Sequence, residues 1–456
     1  MRIHILGIAG TFMAGVAKLA QELGHDVSGS DKNIFPPMNK QIDKLGISIL
    51  DSTKEKRPPK GIDLVIIGNT LTRGNPIIEY ILEHKLNYCS GPDWISKNIL
   101  QDKKNIVVTG THGKTTIASL IAWILNDNGI DAGFLIGGVP NNFGCSARIG
   151  ESQFFIIEGD EYDTAFFDKR SKFIHYKPET LIINNIEYDH ADIFSSLQDI
   201  VKQFHHLLRT MPKTATIITP EGDKTVSSLI DLGCWSTVKT FGQSENCHMQ
   251  YQYDTSKQSF KILSENRKLT NVNTPLMGKH NAANVAAAVL ACQTSGLNLT
   301  QIFKSLTKFT NVSRRLELIK VAGDIKIYSD FAHHPTAIAK TIDALKEGMS
   351  EESKLLVIIE PKSNTMKSGV HEKSLEDALA NADKFLMYDK ASLEWVSNFA
   401  KTSGKFLGSF RTRTKAARTI AAHVDEQDTI LIMSNGQIDK LIKCIFAHIK
   451  QKEEQL

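Results

Sequence analysis

The stretch Val107-Val108-Thr109-Gly110-Thr111-His112-Gly113-Lys114-Thr115-Thr116 decides the fold. A β-branched run feeds a glycine turn, and Ile117 to Leu125 then reads as an apolar helix. A strand, a glycine turn and a helix start, in that order, present several backbone N–H groups to one phosphate cluster, and the helix dipole adds to the attraction. Gly110, Thr111, His112, Gly113, Lys114, Thr115 and Thr116 are therefore candidate nucleotide-binding residues. Lys114 supplies a point charge for the β and γ phosphates, and the Thr115 hydroxyl is placed to ligate Mg²⁺. The glycine spacing is shorter than in the common G-x-x-x-x-G-K-[ST] loop, but a turn that merely joined strand to helix would leave Gly-Lys-Thr-Thr unexplained.

Outward from this loop, short β-branched runs alternate with longer amphipathic stretches, the pattern of βαβ units and parallel sheets, so the class is α/β. At 456 residues the chain has room for two or three domains with their own cores. A polar run, Gln101-Asp102-Lys103-Lys104-Asn105, precedes the phosphate-type loop and suggests one boundary; the region Asn311 to Arg315, after an alanine-rich helix, suggests a second. The expected domains are 1–104, 105–312 and 313–456. Between Cys247 and Asn273 polar and apolar residues alternate, which predicts an antiparallel meander inside the middle domain.

Lys plus Arg total 54 against 50 Asp plus Glu, and a net charge of +4 is too small for a surface that must bind a polyanion, so no nucleic-acid partner is expected. Six scattered cysteines without a C-x-x-C pair read as inert thiols in a reducing compartment. Apolar runs such as Leu64-Val65-Ile66-Ile67 stop after a few residues, so no membrane span is expected, and the chain reads as cytoplasmic.

At the N-terminus, Gly7-Ile8-Ala9-Gly10-Thr11-Phe12-Met13-Ala14-Gly15 follows a strand and opens a helix, with Ser30-Asp31 at the end of the next strand. This is Rossmann-like, with a diphosphate expected at the helix start and an acid on a ribose or base. The glycine spacing disfavours a dinucleotide redox site, and a plain tight turn stays open as the alternative. The acids Glu158-Gly159-Asp160-Glu161-Tyr162-Asp163 end the run Phe154 to Ile157, and Asn184-Asn185-Ile186-Glu187-Tyr188-Asp189-His190 ends another strand. Carboxylates at the carboxyl ends of parallel strands lie where such sheets bind ligands, so Glu158 and His190 are candidates to complete the coordination of one or two Mg²⁺. Asn281 and Asn284 stand three apart on one helical face, suited to a base edge or, equally, to capping. Arg314 and Arg315 suit a transferring phosphoryl group or form a solvated basic pair, and Asp330 could bind ribose hydroxyls.

Together, Gly110 to Thr116, Asn185 with Asp189-His190, His280-Asn281 with Asn284, Arg314-Arg315, Asp330 and His333-His334-Pro335-Thr336 resemble the Mur ligase family, the ATP-dependent amide-forming enzymes of peptidoglycan assembly. The resemblance covers nearly the whole chain. Gly137-Gly138-Val139-Pro140-Asn141-Asn142-Phe143, Glu161 to Arg170 and Ser363-Asn364-Thr365-Met366-Lys367 are similar to the branch that joins UDP-N-acetylmuramate to the recycled tripeptide L-Ala-γ-D-Glu-meso-diaminopimelate. The resemblance implies a Rossmann-like N-terminal UDP-muramate-binding domain, a central P-loop ATPase domain and a C-terminal Rossmann-like ligase domain. It implies ATP and Mg²⁺, reaction through an acyl phosphate, and a monomer or weak dimer. Lys114, Glu158, His190 and Arg315 would be catalytic, with Thr115 and Glu158 on one Mg²⁺ and His190 on a second. Asn281 would contact adenine, Arg315 the γ-phosphate and Asp330 the ribose, with Asn284 also among the nucleotide-binding residues. Gly7, Gly10, Thr11, Met13, Ser30, Asp31, Glu161, Asp163, His333, Ser363, Asn364 and Lys367 would meet the other substrates. Departures are Lys362 where the family usually has arginine, the lack of a glycine-rich continuation after Asn435, and no clear equivalent near Lys202 to His206 of a carbamylated lysine found in several relatives. The alternatives are a ligase that adds L-alanine to the same acid and a P-loop module without ligase activity; the latter should have lost one of Lys114, Glu158, His190 and Arg315, and all four are present.

Overall fold

A computed structural model describes residues 1–32, 38–263, 269–399 and 403–453. Three sheets follow one another along the chain. The first is all parallel, in the order Ser48–Asp51, Asp26–Asp31, Arg2–Leu6, Leu64–Ile67, Tyr88–Ser90. The second has ten strands, in the order Leu269–Val272, Ser259–Leu263, Met249–Asp254, Thr237–Gly242, Thr216–Pro220, Thr180–Ile183, Lys104–Thr109, Phe154–Glu158, Gly133–Leu135, Ala147–Arg148. Its centre is parallel, and antiparallel pairs close both ends. The meander expected between Cys247 and Asn273 forms one of those ends, although Met249–Asp254 joins the sheet in parallel with Thr237–Gly242. The third runs Glu317–Ala322, Ile325–Asp330, Thr429–Met433, Leu355–Ile359, Lys384–Met387, Phe406–Ser409, parallel except for the first pair.

The central strands read as continuous apolar runs because helices cover both faces of the sheet. Helix Lys114–Asp127 is buried all round: Ile117, Leu120, Ile121, Ile124 and Leu125 show no exposed surface, and each contributes about 1.5–3 kcal/mol of apolar burial. Helix Lys279–Thr294 packs beside it through an alanine-rich face, which lets the two axes approach closely.

The first two units share a core. Helix Thr11–Glu22 of the first lies on strand Ala147–Arg148 of the second. A Cβ on Gly15 would come to 2.2 Å from Leu135 Cδ1, so glycine permits this approach with Leu135 in place. The third unit meets the second through polar contacts: Thr365 Oγ1 donates to Asp189 (2.8 Å), Asn364 Nδ2 to Asp192 (2.8 Å), and Thr336 Oγ1 to Glu187 (2.5 Å). Among the described residues no helix is long and apolar enough to cross a membrane.

Candidate active site

The carboxyl ends of strands from all three sheets open onto one cavity of about 1390 Å³. Single-ligand pockets are typically a few hundred to about 1,000 Å³, so this one has room for more than one substrate. Thr111 to Thr116 line it, with Glu158, His190, Asn281, Asn284, Arg315, Asp330 and His333, and with Gly7, Gly10, Thr11, Met13 and Asp31 from the first unit.

The loop before helix Lys114–Asp127 has the shape a phosphate requires. Gly113 sits at φ +85°, and a Cβ there would come within 2.6 Å of the Asn184 and Asn284 amides. Asn184 Nδ2 donates to the His112 carbonyl (2.9 Å) and to Asn284 Oδ1 (3.1 Å), and His112 N donates to Asn185 (2.8 Å), so the asparagines of the next strand end hold the loop open. Asn281 donates to the Met277 carbonyl (2.8 Å) and accepts from Asn284 (3.0 Å). It is not the N-cap, which is Gly278; both amides brace the loop while lining the cavity.

Lys114, Glu161 and His190 form a chain. Lys114 Nζ lies 3.0 Å from Glu161 Oε2 and 2.6 Å from the Gly110 carbonyl, and His190 Nε2 is 3.1 Å from Glu161 Oε1. The Glu161 side chain is 2 % exposed. Burial alone would raise its carboxyl, but the Lys114 charge and the His190 hydrogen bond outweigh burial and hold it below its usual range. The same contact raises His190 against its own burial. Glu161 was expected to touch substrate; the structure gives it to Lys114 and His190 instead. Asp160, not singled out from the sequence, stands beside them: ligand atoms of Asp160, Glu161 and His190 lie within 4.8 Å of one another. Two carboxylates and an imidazole that close fit a divalent cation completed by water and phosphate oxygens.

Glu158 accepts from Thr115 Oγ1 (3.2 Å) and from Gly137 N (2.7 Å). Burial raises its carboxyl, opposed by Arg315. Arg315 Nη2 donates to Thr115 Oγ1 at 2.8 Å, so the third unit reaches the phosphate loop directly. The two arginines are not a solvated pair: both guanidinium groups stack on Phe331, at 5.3 and 5.0 Å. Asp330 accepts from Leu316 N (2.6 Å) and Ala332 N (2.7 Å), clamping the turn that carries Arg315, a job the sequence did not reveal.

Besides Glu161, five expected substrate residues fall elsewhere. Ser30 turns into the first sheet, where His4 Nε2 meets its hydroxyl at 2.7 Å. Asp163 pairs with Lys169 across a hairpin (2.6 Å). Ser363 caps a short helix, Asn364 binds Asp192, and Lys367 is exposed; none lines the cavity. Asp31 does line it, while its Oδ2 also accepts from Ala9 N (2.8 Å) and fixes the first glycine turn. His112, Glu187 and His334, drawn from both units, form a second close group.

Residues 2–103 match the Mur ligase family catalytic domain, 108–292 the Mur ligase middle domain and 314–436 the Mur ligase glutamate ligase domain. The chain is also 43 % identical over 459 residues to the UDP-N-acetylmuramate–L-alanyl-γ-D-glutamyl-meso-2,6-diaminoheptandioate ligase of Escherichia coli K12, covering 100 % of this chain and 99 % of that protein. The chain belongs to the Mur ligase family. Within this family the ligase of the same name from Haemophilus influenzae is 41 % identical over 451 residues, 99 % of each chain. A solved murein peptide ligase from Psychrobacter arcticus 273-4 superposes with a TM-score of 0.77 at 37 % identity, covering 98 % of both chains. Three Mur ligase domains and ATP-dependent amide-bond formation follow from membership.

Proposed function

We propose that this enzyme joins UDP-N-acetylmuramate to the tripeptide L-Ala-γ-D-Glu-meso-diaminopimelate, with ATP cleaved to ADP and phosphate. The supporting observation is full-length identity above 40 % to two ligases named for this pair of substrates. The cavity suits the chemistry: it joins the start of helix Thr11–Glu22, where a UDP diphosphate would lie, to the phosphate loop and to Arg315. The same reading takes Mg²⁺ as the metal, a monomer or weak dimer as the working unit, and the cytoplasm, where ATP and UDP-linked precursors are found, as the compartment.

In the first step a lactyl carboxylate oxygen forms a bond to the γ-phosphorus of ATP, and the bond to the β-phosphate oxygen breaks with release of ADP. The neutral peptide amine, its ammonium proton lost to solvent, then attacks the acyl carbon; phosphate leaves with the former carboxylate oxygen, and the nitrogen gives up one more proton to solvent or to the departing phosphate as the amide forms. Lys114, aimed by Glu161 and Gly110, meets the transferring phosphoryl oxygens. Arg315, held over Phe331, completes the cradle from the other side. Asp160, Glu161 and His190 would hold one Mg²⁺, and Thr115 with Glu158 another, each supplying positive charge to phosphate oxygens. Preorganised charge of this kind accounts for most of what a protein contributes to phosphoryl transfer.

Phosphate release measured with ATP and UDP-N-acetylmuramate is the test. Release with tripeptide and none with L-alanine supports the assignment. Release only with L-alanine, or with neither, overturns it.

A further inference from the structure

Lys172 has no part in the scheme above, yet its side chain is 8 % exposed and lines the cavity. Burying a lysine ammonium costs several kcal/mol unless it is paired, so one kept at a substrate cavity calls for an explanation. Its Nζ lies 2.8 Å from Asp160 Oδ2. Two rings flank it: Phe12, in the first turn of helix Thr11–Glu22, at 5.6 Å, and Tyr162, beside the His190 ring, at 5.7 Å. An ammonium carries three N–H donors, and among the described residues Asp160 is the one acceptor that side chain has. Lys172 thus stands between the helix start that would hold the nucleotide diphosphate and the Lys114–Glu161–His190 chain that would hold the transferring phosphoryl group.

A substrate tethered at the first place and reacting at the second must pass its acid group between them. We infer that Lys172 is an anion subsite for the carboxylate of the acid substrate, holding it before and during attack on ATP. The inference rests on the proposed substrate pair. Asp160 is the internal counter-ion that keeps the ammonium in place when the site is empty and shares it when the carboxylate arrives. The aromatic walls exclude water and strengthen both contacts. A purely structural reading, in which Lys172 only neutralises Asp160, predicts no discrimination between a ligand with the carboxylate and one without it.

The experiment is calorimetric binding, without ATP or metal, of UDP-N-acetylmuramate and of UDP-N-acetylglucosamine, which lacks the lactyl carboxylate. The wild type should prefer the muramate. Lys172→Met should weaken the muramate by about tenfold or more, the scale of one charge-assisted hydrogen bond, and leave the glucosamine nucleotide unchanged, which also reports that the variant is folded. Lys172→Arg should keep the preference. Asp160→Asn should tighten the muramate alone, because the carboxylate no longer competes for Lys172; this arm decides the matter should Lys172→Met fail to fold. Equal weakening of both ligands by Lys172→Met, an unchanged preference, or no tightening by Asp160→Asn overturns the inference. Wild-type phosphate release with the tripeptide, measured alongside, shows whether the substrate assignment survives that outcome or falls with it.

Discussion

Arg315 Nη2 and Thr115 Oγ1 are 2.8 Å apart although they belong to different units of the chain and to sequence positions 200 residues distant. The contact joins the C-terminal unit to the phosphate loop at the atom expected to meet Mg²⁺, so the arginine enters the site only when the two units are together. Arg315→Ala should lower kcat by roughly 10³-fold, the scale seen when an arginine that stabilises phosphoryl-transfer charge is removed. Arg315→Lys should recover little, because the lysine keeps the charge and loses the planar fork that stacks on Phe331. Steady-state turnover decides; a kcat within a few-fold of wild type would refute the role.

Lys114 and Glu161 form a buried pair, with side chains 15 % and 2 % exposed. Removing the lysine does two separable things: it takes a charge from the transferring phosphoryl group and leaves the buried Glu161 without its lysine counter-charge, held by His190 alone. Lys114→Ala should therefore abolish turnover and also destabilise the protein by about 3–5 kcal/mol, the typical cost of breaking a buried ion pair. Lys114→Ala with Glu161→Gln should regain most of the stability and none of the activity. Denaturant melts alongside phosphate release test both halves; turnover in either variant removes Lys114 from the mechanism.

What could be read from the sequence divides along physical lines. The phosphate loop was legible because its chemistry is backbone chemistry: glycine at positive φ and a helix start are written into local residue order, as Gly113 at +85° shows. Glu158, His190, Arg315 and Asp330 were legible as strand-end or turn residues on the ligand-binding edge. Which way a side chain turns there was not. Ser30 and Asp31 are neighbours on one strand, yet Ser30 faces His4 across the sheet and Asp31 faces the cavity, because successive side chains of a strand point to opposite faces. Glu161 and Asp163 differ for another reason: Glu161 lies in the loop before strand Asp163–Ala165 and is buried against Lys114, while Asp163, on the strand, is spent on a hairpin ion pair. Lys172 lay in no motif, and the fold brings to it Asp160, twelve residues earlier, and Phe12, from the first unit. Ser363 to Lys367 marked a resemblance but serve the joint between units, since Thr365 reaches Asp189 there.

That joint also predicts a pH dependence. Burial would raise the Glu187 carboxyl, but His112 beside it, with the Thr336 hydroxyl, outweighs burial and brings it down to about 2. A carboxyl lower in the folded than in the unfolded chain contributes stability that is fully present above its unfolded value of 4.5 and is lost as pH falls toward 2. Glu187→Gln should therefore lower Tm at pH 7, and the gap from wild type should narrow as pH falls below 4.5. Thermal melts from pH 7 to pH 3 measure it. A gap that stays constant, or widens in acid, would show that the Glu187 charge does not hold the units together.

The last expectation concerns Gly15, where helix Thr11–Glu22 crosses the middle unit. In an isolated helix Gly→Ala would stabilise by about 1 kcal/mol. Here the new methyl would come within 2.2 Å of Leu135 Cδ1 and 3.4 Å of Ala147 Cβ, so the buried Leu135 side chain has to leave its packed position. Overpacking of that kind costs about 1–3 kcal/mol, so Gly15→Ala should be net destabilising despite the better helix former. Because the helix start lines the cavity and its packing sets the position of Thr11 and Phe12, KM for the proposed UDP-linked substrate should rise while that for ATP, proposed to bind at the separate Gly110 to Thr116 loop, stays put. Melting and substrate titrations on one preparation settle the point: a more stable variant, or equal rises in both KM values, would show that the helix does not dock as tightly as Gly15 permits.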